Sequence, residues 1–581
     1  MDESINNYKK NLNVYEFNDI SKMAIKSGID SSKVESLNGI NFRMWKRHIS
    51  YVLTHERTLY TLTTDKPNVE DQRDEQAVKQ CAKWIEDDLM AKATLLHSMK
   101  DNIIGRKEQI TKLEKYIASG KSEFVAIYGR RRVGKTFLVK ELFDGKFAFR
   151  MTGKENASTK EQLENFHYAL NNFTQNTEKP QTWTQAFRQL ETFIENESEE
   201  GPKILFFDEL PWFDTKGSKF VSALEHFWND WAAYRNDIKL IVCGSATTWM
   251  LNKVINSKGG LHNRATHTML LSPFTLGETE QYFQSQGFLY ERQEIIESYM
   301  AVGGVAYYLS LFERDKSVAQ NIESLCFTRG GELVNEFGTI FKSLFRKAEN
   351  HIAVVTALEK KGMGMTRLEI IEAAHQTNNG NLTRLLRELE ECSFIRSYIP
   401  FKKSKKDTLY QLIDPFTLFH FRFMGTPGNY LKGYWQKMQS TAIYESWCGY
   451  AFEIVCLNHL DQIVQALGID GTINQPCSWC YRPPKTTSDD LDDDLKQGTQ
   501  IDLLIDRSDK CISVCEMKYS RDEYEITKSY DAQLTRRMRI FRKVTHTRKS
   551  LLPAFITPNG LFDNMYARKI SREVKGDALF A

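Results

Sequence analysis

One stretch of the chain decides the fold, and it reads Phe124-Val-Ala-Ile-Tyr-Gly-Arg-Arg-Arg-Val-Gly-Lys-Thr136. An apolar run of strand length comes first, a loop with two glycines follows, and a helical pattern begins at the end of the loop. The loop fits Gly-x-x-x-x-Gly-Lys-Thr, the phosphate-binding loop (P-loop) of nucleotide-binding proteins. The sequence therefore predicts a parallel α/β sheet with a nucleotide site where this strand meets its helix.

The residue types of this loop suit the binding of a triphosphate. Gly129 and Gly134 allow main-chain N–H groups to point at phosphate oxygens, at the positive end of the following helix. We expect Lys135 to place its ammonium on the β- and γ-phosphates of ATP, and the Thr136 hydroxyl to ligate Mg²⁺. The remaining residues of the predicted ATP-binding loop are Arg130, Arg131, Arg132 and Val133.

A second apolar run, Lys203-Ile-Leu-Phe-Phe-Asp-Glu209, ends in two acids. This is the pattern of a Walker B segment. We expect Asp208 to hold the magnesium ion, directly or through water, and Glu209 to polarise the attacking water. An acidic pair after a strand is also a common structural feature, but the P-loop upstream favours the functional interpretation.

Two further residues are candidates for contact with the γ-phosphate. Ser245 ends a third apolar run and is expected to sense this phosphate or to orient the water; the alternative is that it caps the next helix. Arg264 precedes the run Met269-Leu-Leu-Ser-Pro-Phe274. It is a candidate arginine finger, acting within the chain or from a neighbouring subunit, and a surface salt bridge is the alternative.

Composition limits the class of protein. The chain has 581 residues, of which 41% are hydrophobic and 26% charged, as in soluble proteins of about four domains at roughly 150 residues each. No apolar run approaches the ~18 residues of a membrane span. The ten cysteines are scattered and no signal peptide is recognisable, so we expect a cytoplasmic, reducing location. The net charge of +3 means that nucleic-acid contacts must come from local patches.

Residues 346–425 read as helices followed by a basic hairpin. A short helix, a turn and a second helix over residues 381–392 precede a hairpin with the loop Lys402-Lys-Ser-Lys-Lys406. This order is typical of a winged helix, and Arg384 and Arg387 fall on the polar side of the second helix, where a DNA groove is expected to meet them. The alternative is a winged helix that contacts protein, with solvated lysines.

Residues 440–565 return to a pattern of helix, strands, helix and strand. Glu453 lies in a helical stretch, Asp502 lies near the start of an apolar strand, and Glu516 and Lys518 lie at the end of the next strand. This order is the pattern of PD-(D/E)xK nucleases. In it the three acids ligate a divalent cation that activates water, and the lysine positions or deprotonates the water.

Strand register tests this interpretation. A symmetric two-residue turn at Ser508 and Asp509 would place Asp502 opposite Cys515, which puts Asp502 and Glu516 on opposite faces of the sheet. An odd-numbered loop centred on Asp509, or a bulge, places both acids on one face. We predict the second arrangement.

Five short motifs stand in a characteristic order along the chain. They are Ile104-Gly-Arg-Lys-Glu108, the P-loop, Phe206-Phe-Asp-Glu-Leu-Pro-Trp212, Cys243-Gly-Ser-Ala-Thr-Thr-Trp-Met250 and Leu271-Ser-Pro-Phe274. Together they resemble the archaeal-type ATPase family, a branch of the AAA+ and STAND-like P-loop NTPases, over about residues 101–565. The resemblance implies a P-loop ATPase domain with a helical lid over residues 101–345, a winged helix over 346–425 and a nuclease-like domain over 440–565.

One motif of that family is altered in this chain. The family usually carries Gly-Gly-x-Pro-x-Tyr-Leu in its lid, whereas this chain has Gly303-Gly-Val-Ala-Tyr-Tyr-Leu309, without the proline. The lid is therefore expected, but its geometry does not follow from the motif.

Residues 1–100 depart from the ATPase family. The stretch Leu37-Asn-Gly-Ile-Asn-Phe-Arg-Met-Trp-Lys46, with Trp84 further on, resembles the gag-type domain of copia-class retroelements. The alternative is an unrelated helical extension. Neither interpretation gives this part a catalytic role, and self-association or packing is the default expectation.

The sequence thus predicts a multidomain α/β protein with a helical N-terminal extension. The predicted function is an ATPase that uses ATP and Mg²⁺ and is coupled to a C-terminal nuclease-like domain that binds DNA. The residues leave two alternatives open for that domain: it cleaves the DNA, or it only binds it. The alternative is an ATP-gated switch without catalysis, whose last domain only binds DNA or protein. The expected partners are ATP, DNA and further copies of the chain, and no membrane.

Overall fold

The computed structural model describes residues 103–581, together with Lys83, apart from seven short gaps. These gaps are residues 175–176, 199–200, 246, 256–263, 346, 426–431 and 484–492. The predicted N-terminal extension, with its gag-like motif, lies outside the described residues except for Lys83. Within the described chain, residues 103–115, 136–148 and 281–289 group as one compact unit and the remaining residues as a second.

The first sheet contains the P-loop strand. Its strands are β1 (Glu123–Tyr128), β2 (Phe147–Thr152), β3 (Lys203–Asp208), β4 (Ile238–Gly244) and β5 (His267–Leu270). They stand in the order β2-β3-β4-β1-β5, and β1 pairs in parallel with β4 and β5, as β3 does with β4. Every residue of β3 and β4 is buried, as in a parallel sheet covered on both faces. The predicted α/β sheet is confirmed.

Six α-helices lie along the described residues of this part of the chain. They are α1 (Lys107–Ile117), α2 (Lys135–Leu142), α3 (Thr159–Asn171), α4 (Trp183–Asn196), α5 (Phe220–His226) and α6 (Thr247–Met250). Thr182 caps α4, whose Trp183 and Phe187 are buried on one face. The Phe187 ring lies 6.0 Å from the ring of Phe207 in β3, so α4 packs on this sheet through aromatic side chains.

The segment predicted as a lid is helical. Its helices are α7 (Leu276–Ser285), α8 (Arg292–Val302), α9 (Ala306–Ser310), α10 (Val318–Ile322) and α11 (Glu336–Leu344). Gly304, between α8 and α9, accepts a main-chain hydrogen bond from Phe274 at 2.6 Å, and a Cβ at Gly304 would lie 1.9 Å from the Phe274 oxygen. Ala306, which replaces the family's proline, is the first residue of α9. A proline and an alanine are both accommodated there, because this N–H has no partner within the helix.

Residues 348–412 form a small helical unit with its own sheet. Its elements are α12 (Ala348–Glu359), β6 (Met365–Thr366), α13 (Arg367–Ala373), α14 (Gly380–Glu391), β7 (Ile395–Tyr398) and β8 (Leu409–Leu412). The strand order is β6-β8-β7, with antiparallel pairs. Asn379 caps α14, and the leucines expected on its inner face, Leu382, Leu385, Leu386 and Leu389, are all buried.

The last part of the chain builds a mixed sheet. The helices are α15 (Pro415–Phe419), α16 (Tyr434–Met438), α17 (Ala442–Asn458), α18 (Leu460–Leu467) and α19 (Lys528–Thr545). The strands are β9 (Ile473–Tyr481), β10 (Thr499–Arg507), β11 (Cys511–Met517), β12 (Ser550–Thr557) and β13 (Arg572–Lys575). They stand in the order β13-β12-β11-β10-β9. β10 is antiparallel to both of its neighbours, and β12 is parallel to both of its own.

No helix in the described part of the chain is long and apolar enough to cross a lipid bilayer.

Candidate functional site

The P-loop joins β1 to α2 in a conformation that requires glycine. Gly129 has φ 143°, and a Cβ on it would lie 2.3 Å from the main-chain oxygen of Leu271. Gly134, next to the helix, has φ 94°, a backbone angle that residues other than glycine rarely adopt. The two glycines of the motif therefore set the shape of the loop.

Lys135 is held inside this loop. Its side chain is buried, and Nζ donates to the main-chain oxygens of Gly129 and Arg130, both at 2.9 Å. Burial lowers the pKa of Lys135, while the charges of Glu209 and Asp208 act in the opposite direction. The ammonium is thus desolvated and bonded to neutral carbonyls, which an anionic phosphate oxygen can replace with a stronger, charge-assisted bond.

The two acids at the end of β3 have different surroundings. Asp208 is 3% exposed, and its Oδ1 accepts from the main-chain N–H of Glu209 at 3.1 Å. Glu209 has φ 50°, which turns the chain sharply after the strand. Its Oε2 accepts from the Ser245 hydroxyl at 2.7 Å and from the Ser245 N–H at 3.3 Å. Ser245 therefore orients the Glu209 carboxylate.

The structure thus brings together four of the predicted residues, Lys135, Asp208, Glu209 and Ser245. They meet because the neighbouring strands β1, β3 and β4 end at the same edge of a parallel sheet. Arg264 is exposed on the turn before β5, and its role as an arginine finger stays a prediction. Thr136 is the second residue of α2.

Arg130, predicted as part of the ATP-binding loop, directs its side chain to another part of the chain. Its Nη1 donates to Asp414 Oδ1 at 2.5 Å, and the two side chains are 1% and 4% exposed. The guanidinium lies 4.7 Å from the ring centre of Phe394. Asp414 also caps α15 by accepting from the Thr417 N–H and hydroxyl. The P-loop is therefore tied to the segment that follows β8.

Arg132 makes a second tie, to the lid helices. Its Nη1 lies 2.6 Å from Glu336 Oε2, its guanidinium lies 4.3 Å from the ring centre of Tyr307, and the Tyr308 hydroxyl donates to Glu336 Oε1 at 2.8 Å. Sequence reasoning missed both ties because the partners are far away in the chain. The run of three arginines was the one local sign that this loop makes unusual contacts. Of the other two residues in the loop, Arg131 is exposed and Val133 is buried.

The arginines predicted to face DNA on α14 have protein partners. Arg387 donates to Asn252 Oδ1 at 2.8 Å and lies 3.3 Å from Glu391. Arg384 donates to Asn381 at 2.7 Å. Asn252 belongs to a π-helical turn over Leu251–Ile255, soon after Ser245, so α14 contacts the segment that leaves the edge of the first sheet.

In the C-terminal sheet, the predicted register is confirmed. Leu503 pairs with Cys515, and Asp506 pairs with Ile512, so the hairpin is centred on Asp509 with a three-residue loop. Extended outward by one residue, this register places Asp502 opposite Glu516, and directly opposed residues share a face. Lys518 follows β11, and its Nζ lies 3.9 Å from Glu516 Oε2.

Glu453, on α17, lies within electrostatic reach of the same face. Burial raises the pKa of Glu453 to about 8, and the negative charges of Asp502 and Glu516 act in the same direction, opposed by Lys518. The neutral form of Glu453 is therefore favoured at neutral pH. Four of the residues predicted for the nuclease-like site thus influence one another.

The structure adds two residues that sequence reasoning missed. Both lie on α19: Arg537 is ion-paired with Glu516 Oε1, and the Tyr530 hydroxyl donates to Glu516 Oε2 at 2.8 Å. No local pattern pointed to them, because many residues of α19 are basic and spacing alone does not show which face of the helix meets the sheet.

These contacts bear on whether a metal fits. Across the described residues, no three His, Cys, Asp or Glu side chains are gathered closely enough to hold a metal ion. Both oxygens of Glu516 already have hydrogen-bond donors, and the carboxylate is 2% exposed. The predicted set of Glu453, Asp502 and Glu516 is therefore not assembled as a metal site.

Comparison with known proteins gives matches in sequence. An ATPase domain found predominantly in Archaea matches residues 103–312. An uncharacterised protein of Methanocaldococcus jannaschii is 23% identical over 370 residues, which are 62% of this chain and 77% of that protein. An uncharacterised ATP-binding protein of the same organism is 42% identical over 43 residues, which are 7% of this chain and 73% of that protein.

Two solved structures are similar at low identity. The Walker-type ATPase of Pyrococcus abyssi has a TM-score of 0.40 and 16% identity, over 55% of this chain and 95% of that one. The ORC2 protein of Aeropyrum pernix, in ADPNP and ADP complexes, has a TM-score of 0.34 and 12% identity, over 59% and 98% of the two chains. The assignment of a family rests on the sequence matches and on the loop itself. The P-loop, the acidic pair at the end of β3 and the domain match agree: residues 103–312 of this chain are an archaeal-type P-loop ATPase domain.

Proposed function

We propose that this protein binds ATP with Mg²⁺ at residues 129–136 and hydrolyses it. The supporting observation is the meeting of Lys135, Asp208, Glu209 and Ser245 at one edge of the first sheet, with Lys135 buried and bonded to neutral carbonyls. A buried ammonium in this position favours a polyanionic ligand, because the ligand restores the charge stabilisation lost on leaving water.

The roles of the residues follow from their chemistry. Lys135 would neutralise the β- and γ-phosphates, and Thr136 and Asp208 offer the hydroxyl and carboxylate oxygens that Mg²⁺ prefers. A magnesium ion held by these two residues would supply positive charge that stabilises the negative charge developing on the phosphates. Glu209 would orient the attacking water, and Ser245 holds the Glu209 carboxylate in place through its hydroxyl.

Steady-state phosphate release tests this proposal. We expect Lys135→Ala to abolish binding of a fluorescent ATP analogue, and Glu209→Gln to keep binding while slowing release at least about 100-fold, the lower end for loss of a general base. Lys140→Ala is the matched control, because Lys140 is an exposed lysine of the same helix. Phosphate release that persists in Lys135→Ala would contradict the proposal.

We further propose that the C-terminal half binds DNA, with residues 346–425 as a winged helix and residues 440–565 as a nuclease-like domain. Lys403, Lys405 and Lys406 are exposed in the hairpin loop. The neighbouring Lys402 donates to the oxygen of Thr545 at 2.6 Å, so the loop lies against the C-terminal end of α19. That end adds the exposed cations Arg542 and Lys543, which favours contact with a phosphate backbone.

Fluorescence anisotropy with duplex DNA at several salt concentrations tests this part. We expect the triple change of Lys403, Lys405 and Lys406 to alanine to weaken binding at least about 10-fold and to flatten the salt dependence. The matched control replaces Lys154, Lys160 and Lys216, three exposed lysines elsewhere in the chain. Equal DNA affinity of the two variants would contradict DNA contact by the hairpin.

A second candidate function is an ATP-gated switch without turnover. It is favoured by the two ties of the P-loop, Arg130 with Asp414 and Arg132 with Glu336, because a loop tied to other segments can transmit its ligand state to them. The two functions differ in turnover. A switch binds ATP and changes its protease sensitivity with ATP, yet releases no phosphate above the level of Glu209→Gln.

A further inference from the structure

We propose that Arg537 supplies the positive charge that a divalent cation supplies in a nuclease site, so that the C-terminal domain binds nucleic acid without cleaving it by metal catalysis. The inference rests on the proposed nuclease-like domain and on its binding of DNA. It does not depend on ATP hydrolysis.

The first argument is the occupancy of Glu516. Its Oε1 is ion-paired with Arg537, and its Oε2 accepts from the Tyr530 hydroxyl at 2.8 Å. The carboxylate is 2% exposed. A cation that approached Glu516 would have to displace one of these two donors from a carboxylate that has little contact with solvent, and the displaced donor would lose a charge-assisted hydrogen bond.

The second argument is the charge balance of the face shared by Asp502 and Glu516. These two carboxylates are accompanied by two cations, Lys518 at 3.9 Å from Glu516 and Arg537, so the four charges sum to zero. A divalent cation would add a charge of two to a set that is already neutral, in a setting where uncompensated charge is costly.

The third argument is that α19 fixes Arg537 and Tyr530 in place. The Tyr530 ring contacts Phe555 of β12, with 6.3 Å between the ring centres, and Leu534 on the same helix is buried. The Lys518 ammonium lies 5.7 Å from the centre of the Tyr530 ring. Displacement of Arg537 would therefore disturb a packed helix as well as an ion pair.

Binding of Mn²⁺ tests the inference directly. The full chain is used without nucleotide and in a Lys135→Ala background, so that the P-loop does not contribute, and free Mn²⁺ is measured by electron paramagnetic resonance. We expect the isotherms of this parent and of its Glu516→Gln variant to coincide. A stoichiometric Mn²⁺ site in the parent that Glu516→Gln removes would overturn the inference. If Glu516→Gln lowers the folded fraction, Asp502→Asn replaces it in the comparison with the parent, because Asp502 is less buried than Glu516.

A gain of binding is the converse test. Arg537→Met should create a Glu516-dependent Mn²⁺ site at least 10-fold tighter than any binding by the parent, and Arg537→Met with Glu516→Gln should lose it. If Arg537→Met keeps its circular dichroism spectrum and gains no site, the assignment of Arg537 is wrong. If Arg537→Met does not fold, the comparison of the parent with Glu516→Gln decides alone.

Plasmid nicking completes the experiment. We expect no nicking of supercoiled DNA above background with Mg²⁺ or Mn²⁺. We also expect DNA affinity in Mg²⁺ to be no higher than in EDTA, because Mg²⁺ only competes for the DNA phosphates. Metal-dependent nicking that Asp502→Asn abolishes would overturn the inference. Loss of all DNA binding would instead overturn the proposed binding function and leave the Mn²⁺ result standing, and absence of ATP hydrolysis would affect neither measurement.

Discussion

The ion pair between Arg130 and Asp414 makes a quantitative prediction for the P-loop. Asp414→Asn keeps the cap of α15, because asparagine and aspartate cap helices about equally well, but it leaves the Arg130 charge buried without a counter-charge. The two side chains are 1% and 4% exposed. Breaking a buried pair from one side costs about 3–5 kcal/mol. Among the described residues, Nε and Nη2 of Arg130 have no hydrogen-bond partner, so no second acceptor in that part of the chain reduces the loss.

A double-mutant cycle separates this electrostatic loss from packing. Arg130→Met leaves Asp414 with its bonds to Thr417 and should destabilise less. Combining Arg130→Met with Asp414→Asn removes both charges, and we expect it to recover most of the loss caused by Asp414→Asn alone.

Urea denaturation, followed by tryptophan fluorescence, measures the first unfolding transition of the parent, the two single variants and the double variant. Asp461→Asn, which changes an exposed aspartate of α18, controls for the loss of one negative charge. Two results would contradict this reasoning. One is that Asp414→Asn unfolds at the same urea concentration as Asp461→Asn. The other is that the double variant loses as much free energy of unfolding as the two single variants lose together.

Three further predictions follow from single contacts. Ser245→Ala removes the hydroxyl bonded to Glu209, and we expect kcat for phosphate release to fall about 10-fold, the size of about 1.4 kcal/mol, with a smaller change in KM. Burial lowers the pKa of His459 to about 4 from 6.5. Between pH 6.5 and about pH 4 the unfolded chain therefore binds a proton at this histidine, whereas the folded chain does not. The stability should fall by up to about 3 kcal/mol over that range, and thermal melts of the parent and of His459→Gln at pH 7.5 and 5.0 check that the variant loses less. Gly304→Ala should destabilise the fold by several kcal/mol, because its Cβ would lie 1.9 Å from a carbonyl oxygen. Gly380→Ala, where a Cβ meets nothing within 4 Å, is the control, and equal melting temperatures of the two glycine variants would contradict the steric argument.

The parts of the structure that follow from local spacing could be predicted from the sequence. The P-loop is one example, because strand, loop and helix are contiguous and each residue type has a local reason. The register of the C-terminal hairpin is another, since side chains alternate along a strand and the chemistry required Asp502 and Glu516 on one face. The pairing of Leu503 with Cys515 followed from that requirement.

The parts that depend on distant residues could not be predicted in this way. Arg130 and Asp414 are 284 positions apart, and nothing in the spacing of the P-loop distinguishes an arginine that meets phosphate from one that meets a remote carboxylate. Arg537 is one of many cations on α19, and which of them faces Glu516 depends on how the helix is rotated against the sheet. Charge pairing across the fold is set by packing, which a periodic pattern does not encode.

The two sites differ in how their buried charge is compensated, and this difference separates their chemistry. Burial lowers the pKa of Lys135, and its hydrogen bonds to Gly129 and Arg130 go to neutral oxygens, so an arriving phosphate improves its surroundings. Glu516 already has Arg537 and Tyr530 as partners, so an arriving metal ion must first remove a partner. Ligand binding should therefore raise the pKa of Lys135, whereas Mg²⁺ alone should leave the surroundings of Glu516 unchanged. A bound nucleotide thus compensates a buried charge in the first site, whereas a metal ion in the second site would replace a compensation that already exists.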